Sequence, residues 1–290
     1  MPDLEKFRIK HLALCKRLGL KGRVLIAAEG INGNLTGEEQ KIEEYKQAMQ
    51  KDPLFVNVEF KEGITSKHNF KKMFVRIRQE IVTSGFTIDT TNKGKYLTPQ
   101  ELKQWYKGNE DFVIVDARND YEYKIGRFKN AVDLNLKTFR EFPKAIDKIK
   151  QFKNKKIITY CTGGVRCEKA SAYLKQHGFS NVYQLKGGII KYGEEVGNKH
   201  WEGKCFVFDT RGAIDIDPKE QTKPLTQCVL CNIPCDIYYN CAYTKCDERF
   251  IACETCVKTL NYCCSKACRN QAKVHPKFYC NSNIHKQEAL

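Results

Sequence analysis

Tyr160-Cys161-Thr162-Gly163-Gly164-Val165-Arg166-Cys167-Glu168-Lys169 joins a mostly apolar run, Ile157-Ile158-Thr159-Tyr160, to a helical pattern. The helical pattern continues to His177, where Gly178 stops it. That order predicts a buried strand, a tight loop and a helix. Cys161 then sits at the carboxyl end of the strand, facing the unpaired backbone N–H groups at the amino end of the helix. Those groups and the helix dipole favour a negative charge, so the thiol is expected to ionise near neutral pH and to be nucleophilic.

Outward from this stretch the chain alternates strands and helices. Phe112-Val113-Ile114-Val115 is an apolar strand ending in Asp116-Ala117-Arg118, Ala131 to Leu136 a short strand, and Phe139 to Phe152 mostly helical. Val182 to Leu185 is a further strand, turning through Lys186-Gly187-Gly188-Ile189 into another helix. Upstream, Thr98-Pro99-Gln100-Glu101 carries an N-cap, a first-turn proline and a capping-box glutamate, so a helix is expected to run from there to about Lys107. This rhythm predicts a parallel sheet with helices on both faces and ligands at the carboxyl ends of its strands, where Asp116–Arg118 and Cys161–Arg166 both fall.

Residues 95–204 resemble a rhodanese domain, through Asp116 with Arg118, Gly126-Arg127-Phe128-Lys129-Asn130-Ala131, the Cys161 loop and Lys186-Gly187-Gly188. The resemblance implies a catalytic cysteine in a cradle of backbone amides. Only Thr162, Gly163, Gly164 and Val165 separate Cys161 from Arg166. This is shorter than the phosphate cradle of Cys-dependent phosphatases and resembles the sulfurtransferase type. Arg166 either holds an anionic group and keeps the thiolate charged, or bridges the loop to a carboxylate such as Asp116. Cys167 is either a resolving thiol or a residue of the first helical turn. The catalytic candidates are Cys161, Arg166 and Asp116.

Residues 1–90 read as helix (4–18), strand (23–28), turn and strand (29–36), helix (38–51), strand (55–60) and strand (71–78). The order resembles a ferredoxin-like or acylphosphatase-like α+β domain whose first strand is missing. In the last strand Met73, Val75 and Ile77 share one face and Lys72, Phe74, Arg76 and Arg78 the other. That basic face with one aromatic is either an RNA surface or an ordinary solvated face. Residues 84–97 read as a linker.

Eleven of the 15 cysteines fall between Cys228 and Cys280. Cys228/Cys231, Cys241/Cys246, Cys253/Cys256 and Cys264/Cys268 are pairs at zinc-ligand spacing, enough for two sites of four thiolates each. In a cross-brace the first and third pairs share one ion and the second and fourth the other; sequential pairing is the alternative. Cys235, Cys263 and Cys280 are spare, and Cys263 is positioned to replace Cys264. Residues 205–290 are therefore a linker and a small metal-held module, with structural rather than catalytic sites.

The formal net charge is +16, with the excess on residues 1–204, which suits an anionic partner such as RNA. No apolar run reaches the roughly 18 residues of a membrane span, and no secretion signal opens the chain, so a cytoplasmic protein with reduced thiols is expected. No flavin, haem, iron or nucleotide-cofactor motif is evident.

Ala28-Glu29-Gly30-Ile31-Asn32, then Tyr160 to Lys169 with Ala170-Ser171, then Cys228-x2-Cys231-x3-Cys235-Asp236 occur together in this chain. The combination resembles, over nearly the whole length, the bacterial oxygen-dependent tRNA uridine hydroxylases (TrhO family). The resemblance implies C5 hydroxylation of the wobble uridine of tRNA, molecular oxygen as co-substrate and an essential loop cysteine, here Cys161. RNA phosphates are expected on Arg23, Lys72, Arg76, Arg78, Arg118 and Lys186. The competing readings are a rhodanese-type sulfurtransferase carrying a persulfide on Cys161, and a non-enzymatic RNA-binding adaptor.

Overall fold

The computed structural model describes residues 3–65, 68–246 and 248–271, so Cys280 lies outside the described residues. They fold as two compact units that divide after Thr83.

In the first unit, α1 (Leu4–Arg17) starts at Asp3, whose carboxylate accepts the Lys6 N–H at 2.9 Å. β1 (Lys21–Ala27) and β2 (Gly30–Thr36) form an antiparallel hairpin, α2 spans Glu39–Gln50, and β3 (Met73–Ile77) lies parallel to β1 on its other side. The helices cover the face bearing Val24, Ile26 and Val75, while Arg23, Phe74 and Arg76 are exposed on the other. The strand expected over residues 55–60 does not form. Phe55, Val58 and Phe60 pack with the helix layer instead, Phe55 against Phe7 (ring centres 5.2 Å apart) and Phe60 against Tyr45 (6.1 Å). An apolar spacing that suits a strand here serves a turn that plugs the core.

The second unit is built on five parallel strands: β4 (Lys95–Leu97), β5 (Phe112–Asp116), β7 (Val132–Asp133), β8 (Lys156–Tyr160) and β9 (Asn181–Leu185). Their order is β4-β9-β8-β5-β7. Helices α3 (Pro99–Lys107), α4 (Asp120–Ile125), α5 (Phe142–Ala145, between two 3-10 turns), α6 (Val165–Gln176) and α7 (Gly188–Val196) connect them, and β6 (Gly126–Phe128) pairs with β10 (Trp201–Gly203). The capping box at Thr98 is present. The 84–97 segment is no free linker. Phe86 packs at a tilt against Tyr173 with ring centres 4.9 Å apart, the Gly94 N–H donates to Ser171 Oγ at 3.0 Å, and the segment ends in β4. Gly94 permits that approach, since a Cβ there would lie 2.8 Å from Ser171 Cβ.

The cysteine-rich part continues this unit. After β11 (Cys205–Phe206) and β12 (Ala213–Ile214), the hairpin β13 (Tyr238–Asn240) and β14 (Arg249–Ile251) is followed by α8 (Glu254–Thr259) and α9 (Lys266–Arg269). Tyr121 and Ile125 of α4 share one buried cluster with Phe206, Tyr238, Phe250 and Val257. The module therefore leans its small core on the rhodanese-like layer, as a segment with few apolar residues of its own must.

Candidate active site and metal centres

Cys161 follows the last residue of β8, and α6 begins four residues later behind the left-handed N-cap Gly164 (φ +92°). The Gly164 N–H donates to Cys161 Sγ at 3.1 Å. Burial raises the thiol. Hydrogen bonds from the Cys167 thiol and from the Cys167 and Arg166 backbone N–H groups, with the Arg166 charge, outweigh burial and bring Cys161 down to about 5. Cys167, fully buried beside it, is pushed the opposite way by burial and by the neighbouring sulfur. The arrangement holds one thiolate and one thiol. With Cys161 only 2% exposed, an incoming group must displace part of its cover.

The loop is clamped from behind. The Ile189 N–H donates to the Cys161 carbonyl at 3.0 Å and the Ile190 N–H to the Thr162 carbonyl at 3.2 Å. Gly188 (φ +68°) makes this possible, because a Cβ there would lie 2.5 Å from the Cys161 carbonyl oxygen. Thr162, Gly163, Gly164 and Val165 thus form a tight turn whose amide at Gly164 faces the sulfur. Lys186 is half-buried at the end of β9, just before this glycine pair.

Arg166 bridges the loop to Glu122, not to Asp116. Its two terminal nitrogens meet the two Glu122 carboxylate oxygens at 2.7 and 2.8 Å. Burial raises the Glu122 carboxyl, but Arg166, Arg118 and the Asn119 N–H together hold it below the usual carboxylate range. Glu122 was not singled out in the sequence. Its only local signal is the capping box that opens α4, in which its carboxylate accepts the Asn119 N–H at 3.1 Å.

Asp116 and Arg118 require correction. Their side chains are 1% and 0% exposed and form a closed pair, with Arg118 Nη2 at 2.6 Å from Asp116 Oδ2 and also 2.6 Å from the Gly126 carbonyl. The Asp116 carboxylate is occupied by a structural partner, and Arg118 is too deeply buried to meet a phosphate. The basic residues of the first unit lie differently. Arg23, Lys72, Arg76 and Arg78 are exposed, and burial together with the charges of Arg76 and Arg78 lowers the Arg23 guanidinium. Phe74, 44% exposed, lies between them on the same face, with the Arg76 guanidinium 5.2 Å from its ring centre.

Two sets of four thiols converge in the second unit. They are Cys228, Cys231, Cys253 and Cys256, and Cys241, Cys246, Cys264 and Cys268, with the sulfurs of each set within 4.8 Å of one another. A tetrahedral Zn–S₄ centre with bonds of about 2.3 Å places its sulfurs about 3.8 Å apart. The Cys231–Cys253, Cys246–Cys264 and Cys264–Cys268 sulfurs are each 3.7 Å apart. The donor sets fit that ion and interleave as a cross-brace. Cys264 stands in its set, while Cys263 is buried and turned to the Asn261 carbonyl.

Residues 1–81 match the family described as UPF0176 acylphosphatase like domain, 98–195 the rhodanese-like domain and 202–269 the rhodanase C-terminal family. The fold is therefore a rhodanese-like parallel α/β layer preceded by an acylphosphatase-like α+β domain and followed by a cysteine-rich cluster. A tRNA uridine(34) hydroxylase of Cytophaga hutchinsonii is 42% identical over 95% of this chain and 87% of its own length. Its counterpart in Shouchella clausii is 43% identical over 95% and 86%, and one in Chlamydia trachomatis 41% identical over 91% and 82%. Each of these relatives is more than 40% identical over more than nine-tenths of this chain and four-fifths of its own length, and the chain belongs to the tRNA uridine(34) hydroxylase family.

Proposed function

We propose that this chain hydroxylates uridine 34 of tRNA at C5, with molecular oxygen as oxidant and Cys161 as the reacting residue. The observation that carries the reading is the Cys161 thiolate, held low by its loop amides and by Arg166. In the mechanism we favour, the target base leaves its stack and enters the loop. The Cys161 sulfur bonds to C6 of uracil, which gives C5 enolate character, and C5 then bonds to oxygen. One oxygen atom stays on C5. The other leaves as water, with two electrons and two protons from a thiol-class reductant. Loss of the C5 proton then expels the sulfur and restores the C5–C6 double bond. Arg166, anchored by Glu122, keeps the sulfur anionic between turnovers.

Arg23, Lys72, Arg76 and Arg78 around Phe74 offer cations and a stacking surface to the tRNA backbone, and Lys186 offers a charge beside the loop. Zinc in the two thiolate sets holds the module together. No helix among the described residues is long and apolar enough to cross a membrane, and we place the enzyme in the cytoplasm with its substrate.

The test is nucleoside analysis of tRNA from cells with and without the gene, complemented by wild type or Cys161→Ala. Loss of 5-hydroxyuridine and its derivatives, restored only by wild type, is the expected result. The four-residue loop also suits a persulfide, so loss of thiolated uridine instead would overturn the hydroxylase in favour of sulfur transfer. Mass spectrometry of a trapped Cys161–RNA adduct separates addition at C6 from delivery of oxygen by an oxidised Cys161.

A further inference from the structure

A cavity of about 560 Å³ opens between α4, residues 137–138 and the β13–β14 hairpin. It is separate from the Cys161 loop, and nothing derived so far uses it. Its volume lies within the range of small-ligand sites and exceeds what one nucleotide needs. Three cations line it, Lys124, Lys137 and Arg249, against two carboxylates, Asp120 and Glu248. Both lysines turn to the single Asp120 carboxylate, at 3.4 and 2.8 Å, yet stay 54% and 64% exposed. An incoming anion can therefore recruit either lysine without leaving Asp120 unpaired.

The floor is aromatic. Tyr121 and Tyr238 stack with ring centres 4.9 Å apart, and the exposed Arg249 guanidinium lies 5.1 Å from the Tyr121 ring centre. A guanidinium backed by an aromatic ring is a platform on which a base can stack. Cations at the rim and a stacking platform below call for a ligand with both a phosphate and a flat ring, which is a nucleotide.

Its place in the fold says which nucleotide. Tyr121 and Lys124, which line the cavity, and Glu122, which grips Arg166 beside Cys161, all lie on α4. A second path runs through rings: Tyr121 packs on Phe206 (5.2 Å), Phe206 on Phe208 (5.1 Å), and the Arg166 guanidinium lies 5.8 Å from the Phe208 ring centre. We propose that this cavity is a subsite for a nucleotide adjacent to the target uridine in the same RNA strand, its base stacked on Arg249 and its phosphate on one of Lys124 and Lys137 while the other stays with Asp120. The proposal rests on the hydroxylase reading and adds to it the groups that hold the strand while the target base is out of its stack.

The test uses the full chain and a synthetic anticodon stem–loop with U34, scored for binding by fluorescence anisotropy and for 5-hydroxyuridine by mass spectrometry. Arg249→Ala and Arg249→Lys should each weaken binding about tenfold, the lysine included because it keeps the charge and loses the plane. Lys124→Ala with Lys137→Ala should flatten the salt dependence of binding by about one unit of log–log slope. An RNA with an abasic nucleotide at 33 or at 35 alters no protein residue. At one of these positions it should cost wild type about tenfold and Arg249→Ala nothing further. Hydroxylation by wild type, with affinities unmoved by these variants and by both abasic sites, would overturn the subsite and leave the hydroxylase reading intact. The expected pattern of affinities without any hydroxylated product would overturn the activity and leave the RNA subsite standing.

Discussion

At the scale of single residues, the site depends on which charges are buried together. The Cys161 thiol falls from an ordinary value near 9 to about 5 although burial alone would raise it. Alkylation of Cys161 by iodoacetamide, followed in its own peptide by mass spectrometry, should therefore show an inflection near pH 5 and stay flat up to pH 8. Arg166→Gln should move that inflection upward, because the nearest positive charge is lost. Glu122→Gln should move it down, because the glutamine amide oxygen still holds Arg166 in place while the counter-charge is gone. An inflection near 8 to 9 in the wild type would refute the activated thiolate. The sign for stability follows from the same shift. A thiol whose folded value is depressed contributes stability that is full above its unfolded value and is lost as the pH falls through the folded one. Glu122→Gln also leaves the Arg166 charge buried and unpaired, a change that costs about 3–5 kcal/mol in comparable sites. Denaturant unfolding should show a loss of that order.

At the scale of elements, the loop after β8 and the glycine pair before α7 form one joint. Gly188→Ala must push its new Cβ off the Cys161 and Thr162 carbonyls, 2.5 and 2.6 Å away, at a positive φ that alanine resists. It should cost about 1–3 kcal/mol of stability and abolish most hydroxylation, read by thermal melts and product analysis; an active variant of unchanged stability would refute the joint. On the first unit, Arg76→Ala and Arg78→Ala should each reduce the salt slope of tRNA binding by about 0.7–0.9. Unchanged slopes would make that face an ordinary solvated surface. What was legible in the sequence divides along the same line. The strand, loop and helix around Cys161 are local, and so are the alternation that exposes Arg76 and the capping box at Thr98, so each could be read directly. Glu122 could not, because its partner is 44 residues away in sequence and meets it only once β5 and β8 lie side by side. Residues 55–60 misled because burial of Phe55, Val58 and Phe60 comes from α1 and α2, a tertiary packing that overrides a strand-like spacing. Asp116 misled because proximity to the strand ends says nothing of which cation closes on its carboxylate.

At the scale of the whole second unit, the two four-cysteine sets and Cys161 are linked through α4. The module's apolar cluster includes Tyr121 and Ile125 of that helix, and Glu122 between them fixes Arg166 at the loop. Structural zinc contributes about 10–16 kcal/mol to the folding of small modules, as much as the whole stability of a typical domain. Removing it should therefore unfold the cysteine-rich part and loosen α4 with it. The purified protein should hold two zinc ions per chain, released by a strong chelator and counted with a chromogenic ligand. On release, amide hydrogen exchange should rise in residues 120–125 as well as in 228–268. The Cys161 inflection should move up, as a loosened Glu122 no longer keeps Arg166 at the sulfur, and hydroxylation should fall. Cys253→Ser, which keeps an N-cap for α8 but breaks one set and leaves the other whole, should reproduce part of this, since Cys253 belongs to a set packed against the same cluster. If both ions leave and exchange in α4 and the Cys161 inflection stay as they were, the module is an independent attachment and its effect on catalysis must run through RNA binding alone.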